Sequence, residues 1–272
     1  MKVLEQLFVV WQDPESCSYF PVGHLKHVSD KGEQYYEFTY IKGVRDAIKY
    51  SFKPFLAFPE YDETYLSKEL FSFFKNRILS NSRSDYIEYV SNLGLSPDDS
   101  TPIEILARSG GRRMTDSVEL FCPPKSKGVP SEGFLVNYFF LAHGLRHMRD
   151  CAQGLVETLE SEARLFIMHD LQNPVDNEAL ILRTEDYCCV GFLPRYLLPD
   201  CWEFLKGSDA IKVFIEKLNP PPAPIQQRIL CRMEANTKEG FQPCSSYIYG
   251  PFVSEDLNGE KERTHQASIH PS

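Results

Sequence analysis

No Cys-x-x-Cys pair occurs in this chain, although it carries eight cysteines. They are scattered, and Cys188, Cys189, Cys201 and Cys231 sit in or beside apolar segments, where cysteine behaves as a small hydrophobe. That pattern argues against a zinc site and leads us to expect reduced core and loop thiols. Long apolar runs are missing too; none approaches the ~20 residues of a membrane helix. Residues 1–10 lack a small-residue cleavage site and read as a first strand rather than a signal peptide, so a cytoplasmic location is expected. There is also no global positive field. The net charge is −9 and spread along the chain, so any nucleic-acid contact must be local and short. Absent as well are a Gly-x-Ser-x-Gly elbow, a phosphate loop and a pair of catalytic carboxylates. His143 and His147 stand four apart, but Gly144 and strand-like surroundings argue against a helical metal pair. The expectation is a non-enzymatic protein with no cofactor and no metal.

What is present suggests an α+β chain: a small antiparallel sheet with helices, then a β-barrel-like domain with two helices. The first region, 1–123, opens with strands near 7–11, 19–25 and 35–41. Residues 51–59, with Pro54 and Pro59, read as an extended loop. Helices are predicted over 68–79 with Ser67 as cap, over 85–93 capped by Ser84 and ended by Gly94, and after Thr101, where Thr101-Pro102-Ile103-Glu104 is a capping box. A closing strand is expected at 117–121. Residues 124–133, rich in proline and glycine, read as a linker. A second domain then fills 134–236, with strands near 135–142, 164–168, 178–183, 188–193, 211–217 and 226–234 and helices at 152–159 and 195–205. Residues 237–272 form a C-terminal extension, expected to be disordered from about residue 254.

The most telling stretch is 143–197. It holds Gly-Leu-Arg-His at 144–147, Asn-Pro-Val-Asp-Asn-Glu-Ala at 173–179 and Gly-Phe-Leu-Pro-Arg-Tyr-Leu at 191–197. Apolar runs flank these elements, so the polar residues fall on turns, where a scaffold displays what it uses. Pro174 fixes the middle turn, while Asp176 and Asn177 can bond the local backbone.

This stretch resembles a HIRAN domain over about residues 137–234, through the Asn-Pro-x-Asp-x-x-Ala turn followed by Gly-x-x-Pro-Arg. The resemblance implies a small β-barrel-like module that binds nucleic acid, most of all single-stranded or 3′-terminal DNA. It further implies that Asp176 accepts a hydrogen bond from a free 3′-hydroxyl and that Arg146 contacts phosphate. Two tyrosines of the family pattern are replaced: His147 can still stack on a base, Val175 cannot, and stacking is worth ~1–3 kcal/mol per base. Asn173, Asn177, Arg195 and Tyr196 complete the expected nucleic-acid-binding set. A competing reading has Asp176 closing an Asx-turn with Arg146 as its ion-pair partner, and Arg195 and Tyr196 packed beneath the barrel. In the first region, the runs at 70–79, 85–94 and 102–111 resemble the N-terminal subdomain of HipA-type kinases, without any kinase core. That resemblance implies an alternative function: a protein–protein adaptor or antitoxin-like regulator docking on a kinase-like toxin or defence complex. A helicase or nuclease is a further possible protein partner, and no membrane partner is expected.

Overall fold

The computed structural model describes residues 1–129, 133–148, 161–206, 211–236 and 241–252. Two compact units emerge, and they are interleaved along the chain. The first comprises 1–77, 112–122 and residues from 244 onward; the second comprises 78–111 and 123–243. One crossing, at 122/123, adjoins the expected 124–133 boundary, but 78–111 and the residues from 244 lie on the other side of the division from their neighbours in sequence. Residues 125–129 of that supposed linker form a strand. Three prolines bracket this short run without entering it, which leaves its backbone free to pair.

The first unit is built on a five-stranded antiparallel sheet. Its strands are β1 (Lys2–Gln12), β2 (Tyr19–Asp30), β3 (Glu33–Tyr40), β4 (Thr64–Ser67) and β5 (Val118–Phe121), in the order β4-β3-β2-β1-β5. Leu7, Phe8, Val9 and Val10 form one buried run in β1, and Leu25 of β2 is buried with them. A cluster of rings fills the core: Phe38 stacks on Phe58 at 4.1 Å, and Phe74 lies 5.7 Å and 5.8 Å from the two. Phe74 is thus core, with Phe71 and Phe73 half-buried beside it. Tyr40 ties the 51–59 loop to the sheet, donating its hydroxyl to the Phe58 carbonyl (2.8 Å) and accepting from the Phe55 amide (2.7 Å).

Two local expectations fail here. The helix predicted over 68–79 shrinks to α2 (Ser72–Lys75), because Ser67 ends β4 instead of capping a helix and Phe74 turns into the ring cluster. Arg77, with its side chain almost wholly buried, grips Asp116 through both terminal nitrogens (3.0 and 2.7 Å). A short helix, α1 (Val44–Lys49), carries no start signal in the sequence; it begins at Gly43 without any side-chain cap.

The C-terminal extension is also not a free tail at its start. The amides of Lys42 and Gly43 bond to the carbonyls of Gly250 and Ile248 (2.9 Å each), and the Phe252 amide bonds to the Tyr40 carbonyl (3.1 Å). Tyr249 packs its ring 4.6 Å from Phe8, and Phe252 lies 5.7 Å from Tyr61. The stretch expected to be disordered lies outside the described residues.

The second unit carries a seven-stranded antiparallel sheet. Its strands are β6 (Lys125–Val129), β7 (Gly133–Leu141), β8 (Arg164–His169), β9 (Leu180–Arg183), β10 (Cys189–Phe192), β11 (Ile211–Leu218) and β12 (Ile229–Asn236). The order is β10-β9-β8-β11-β12-β7-β6. An isolated bridge pairs His143, just beyond β7, with Phe192 at the end of β10. Strands placed first and sixth in the order meet there, so the sheet curls into a half-barrel. The mixed α+β class and barrel-like second sheet agree with the sequence reading.

One face of the curl is apolar. Leu165, Leu182, Val213, Ile215, Cys231 and Met233 are buried, against α5 (Leu198–Leu205) with its buried Cys201 and Phe204. Burial pushes the thiols of Cys201 and Cys231 far up, so neither is a nucleophile. Cys188 is disulfide-bonded, which corrects the expectation of reduced thiols at that position. The expected helix at 195–205 is split into a 3-10 turn, Arg195–Leu197, and α5. The expected helix at 152–159 lies outside the described residues.

Two helices from the first half of the chain belong to this unit: α3 (Tyr86–Asn92) and α4 (Pro102–Ser109). The capping box at Thr101 and Glu104 forms as predicted, and Gly110 ends α4 in the left-handed conformation (φ 70°). Val90, Leu93 and Ile105 join Leu141 and Leu230 in one buried cluster. Lys217 and Asn219 donate to the last carbonyls of α3, those of Ser91 (2.5 Å) and Asn92 (2.7 Å).

Candidate nucleic-acid interface

The His143–Phe192 bridge makes a rim at one end of the half-barrel. Both its backbone hydrogen bonds form, at 3.0 and 2.9 Å. Two glycines permit it. A Cβ on Gly191 (φ +145°) would stand 2.8 Å from the His143 carbonyl oxygen, and one on Gly144 (φ +70°) would stand 3.2 Å from the Phe192 ring. Past Gly144 the chain makes a 3-10 turn, Leu145–His147, with Leu145 buried and Arg146 and His147 exposed. Past Phe192 it runs through Pro194 to Arg195 and Tyr196. The Tyr196 ring lies edge-on to His143 at 6.3 Å.

The 173–179 turn joins the same rim through Arg195. Its Nε donates to Asp176 Oδ2 at 2.5 Å and its Nη2 to the Val175 carbonyl at 2.9 Å. Asp176 Oδ1 accepts from the Glu178 amide at 3.0 Å, which makes an Asx-turn. Asn173 Oδ1 accepts from the amides of Val175 and Asp176, both at 3.0 Å, while its Nδ2 donates to Asp170 (2.9 Å). The Asn177 carbonyl is bonded to His169 Nε2 at 2.7 Å, and the His169 ring meets Trp202 edge-on at 4.8 Å.

All seven residues singled out from the sequence are therefore tied to one rim, but in two groups. Asn173, Asp176, Asn177 and Arg195 form a hydrogen-bonded brace. Arg146, His147 and Tyr196 stand on the other two segments. Asp176 takes Arg195, not Arg146, as its cation, a pairing across nineteen residues that no local pattern announces. Arg146 makes no ion pair among the described residues. Within them no group of three or more His, Cys, Asp or Glu side chains could hold a metal ion, and no helix is long and apolar enough to cross a membrane. What the rim offers is donors for an anion and rings for a planar group.

Fold and rim together define a half-barrel of antiparallel strands with an exposed basic turn at its mouth. No family model matches the chain, and no curated protein does. Among solved structures the chain is similar to a protein from Lactobacillus plantarum, at 15% identity over 39% of this chain and 96% of that one, with a TM-score of 0.30. It is also similar to the HIRAN domain of human HLTF, at 14% identity over 51% of this chain and 92% of that one, with a TM-score of 0.28. At these scores neither likeness carries an argument about function. The HipA-type resemblance of the first region gains no support from these comparisons.

Proposed function

We propose that the second unit is a non-catalytic nucleic-acid-binding module that takes single-stranded or terminal DNA at the rim. The observation that carries this reading is the turn after Gly144. It presents Arg146 and His147 to solvent beside the His143–Tyr196 ring pair, with no carboxylate paired to Arg146 among the described residues. Arg146 contacts a phosphate, and His147 and Tyr196 offer ring faces to bases. Arg195 and Asn173 hold the 173–179 turn in shape. A carboxylate has about four lone-pair sites, and Asp176 uses one each for Arg195 and Glu178, so it retains capacity to accept from a terminal 3′-hydroxyl.

The test is a titration of fluorescent oligonucleotides ending in a 3′-hydroxyl or a 3′-phosphate. Arg146→Glu should weaken binding to both about tenfold or more, as expected for loss and reversal of a phosphate contact. Asp176→Asn, which can still accept from Arg195, should erase the preference for the hydroxyl end. Equal binding of the two ends by the unsubstituted protein would remove end reading. Rim variants with unchanged affinity would remove the rim.

A further inference from the structure

The convex face of the second sheet, opposite its apolar core, carries a row of residues that the rim does not use. Strand register sets it out: Arg183 of β9 faces Phe166 of β8, Arg164 of β8 faces Phe214 of β11, Phe214 faces Arg232 of β12, and Arg232 faces Phe139 of β7. Guanidiniums and rings thus alternate across five strands. They also touch. Arg183 lies 4.8 Å from the Phe166 ring centre and 4.6 Å from that of Tyr187, Arg164 lies 5.1 Å from Phe166, and Arg232 lies 5.1 Å from Phe214.

The two ends of the row differ in a way that matters. At the β7 end, Arg108 of α4 lies over Phe139 at 3.6 Å, and the α3–α4 cluster covers Leu141 and Leu230. In the middle, Arg232 is saturated by Glu162 (2.6 Å), Glu216 (3.0 Å) and Glu234. At the β8–β9 end, nothing among the described residues covers the face. Arg164 is exposed, Tyr187 is 78% exposed, and neither Arg164 nor Arg183 makes an ion pair among the described residues. Among the described residues Arg183 donates only to the Thr184 carbonyl, at 2.9 Å. Glu185 and Asp186 project from the neighbouring turn, yet neither pairs with these arginines.

We propose that this open end, formed by Arg164, Phe166, Arg183 and Tyr187, binds the interior of a single-stranded nucleic acid. Two unmatched guanidiniums meet two phosphates, and the rings of Tyr187 and Phe166 receive bases. Diagonal neighbours on paired strands stand ~7–8 Å apart, so Arg164 and Arg183 can serve different phosphates of one strand. Alternating cations and rings match a polymer that alternates phosphates with planar faces. An acidic peptide would satisfy only the cations. The proposal shares the ligand class of the rim reading and rests on it for that alone; it adds a contact that needs no strand end.

A covalently closed single-stranded DNA circle has no terminus for Asp176 to read, and comparing the face variants with Arg146→Glu on that circle separates the face from the rim. The full chain should bind it. Arg164→Glu with Arg183→Glu should abolish that binding or weaken it at least tenfold, and should flatten the slope of log affinity against log salt by about 1.4, two phosphate contacts at ~0.7 each. Tyr187→Ala, at an exposed position, should weaken it about tenfold with no loss of fold, the range of one lost base stack. Failure of the protein to bind the circle, or circle binding unaffected by both face variants, overturns the proposal whatever the rim variants do to ended strands. Polyglutamate binding as tight as the circle and lost in the same variants also overturns it, in favour of a general anion site.

Discussion

The two units spend their aromatic residues differently. In the first, Phe38, Phe58 and Phe74 are packed ring against ring in the interior, and Tyr40 lends its hydroxyl to two backbone groups. In the second, Phe166, Phe214 and Tyr187 lie on the outside of the sheet with arginines over them. A ring surrounded by rings contributes burial and dispersion, which a mutation converts into lost stability. A ring flanked by an unpaired guanidinium at the surface contributes little to stability and is available to a partner. Under the proposed function, the rings of the first unit's core serve as scaffold and those on the outside of the second sheet serve as contacts.

The sorting can be broken by experiment. Phe58→Ala should cost the most, ~3–5 kcal/mol of unfolding free energy, as for other fully buried phenylalanines; denaturant titration would read it, and a loss under about 1 kcal/mol would mean the ring cluster is not the core it looks to be. Tyr40→Phe keeps the ring but strands the Phe55 amide and the Phe58 carbonyl, and should cost ~1–3 kcal/mol. Tyr187→Ala should sit at the other extreme, with a midpoint unchanged within about 0.5 kcal/mol while nucleic-acid affinity falls. A further effect concerns acid. Burial beside Phe8, with help from the Lys26 charge, pushes the His24 ring down from 6.5 to about 3. The unfolded chain takes up a proton as pH falls below its ordinary value while the folded chain does not. The contribution of neutral His24 is whole above about pH 6.5 and drains away toward pH 3. Thermal midpoints measured across that window should fall less steeply for His24→Gln than for the unsubstituted protein, and parallel curves would show that His24 does not set the slope.

Much of this was legible along the chain where the determinant is local. The capping box at Thr101, the left-handed Gly94 and Gly110, and the strands β1 to β3 need only neighbouring residues, and each is present in the fold. The fold class came from the same kind of signal, whereas the seven rim residues were singled out through the HIRAN resemblance. What escaped depends on residues far apart. Ser67 has the makings of a cap, but β4 claims it; residues 125–129 have the composition of a linker, but β7 supplies a partner; and Asp176 finds Arg195 across the turn. The arginine–ring row is the extreme case. Its members lie on five strands and share a face only through register, so no spacing along the sequence betrays it.

The return of residues 244–252 to the first sheet has a consequence for how the protein is made. The chain emerges from the ribosome amino-terminus first, and domains ordinarily fold as units in that order. Here the first unit cannot complete its hydrogen bonds at Tyr40, Lys42 and Gly43 until Gly250 and Phe252 have been synthesised. The second unit lies wholly between, so it can be finished first. The part begun earliest is thus sealed last, by the final described stretch of the chain.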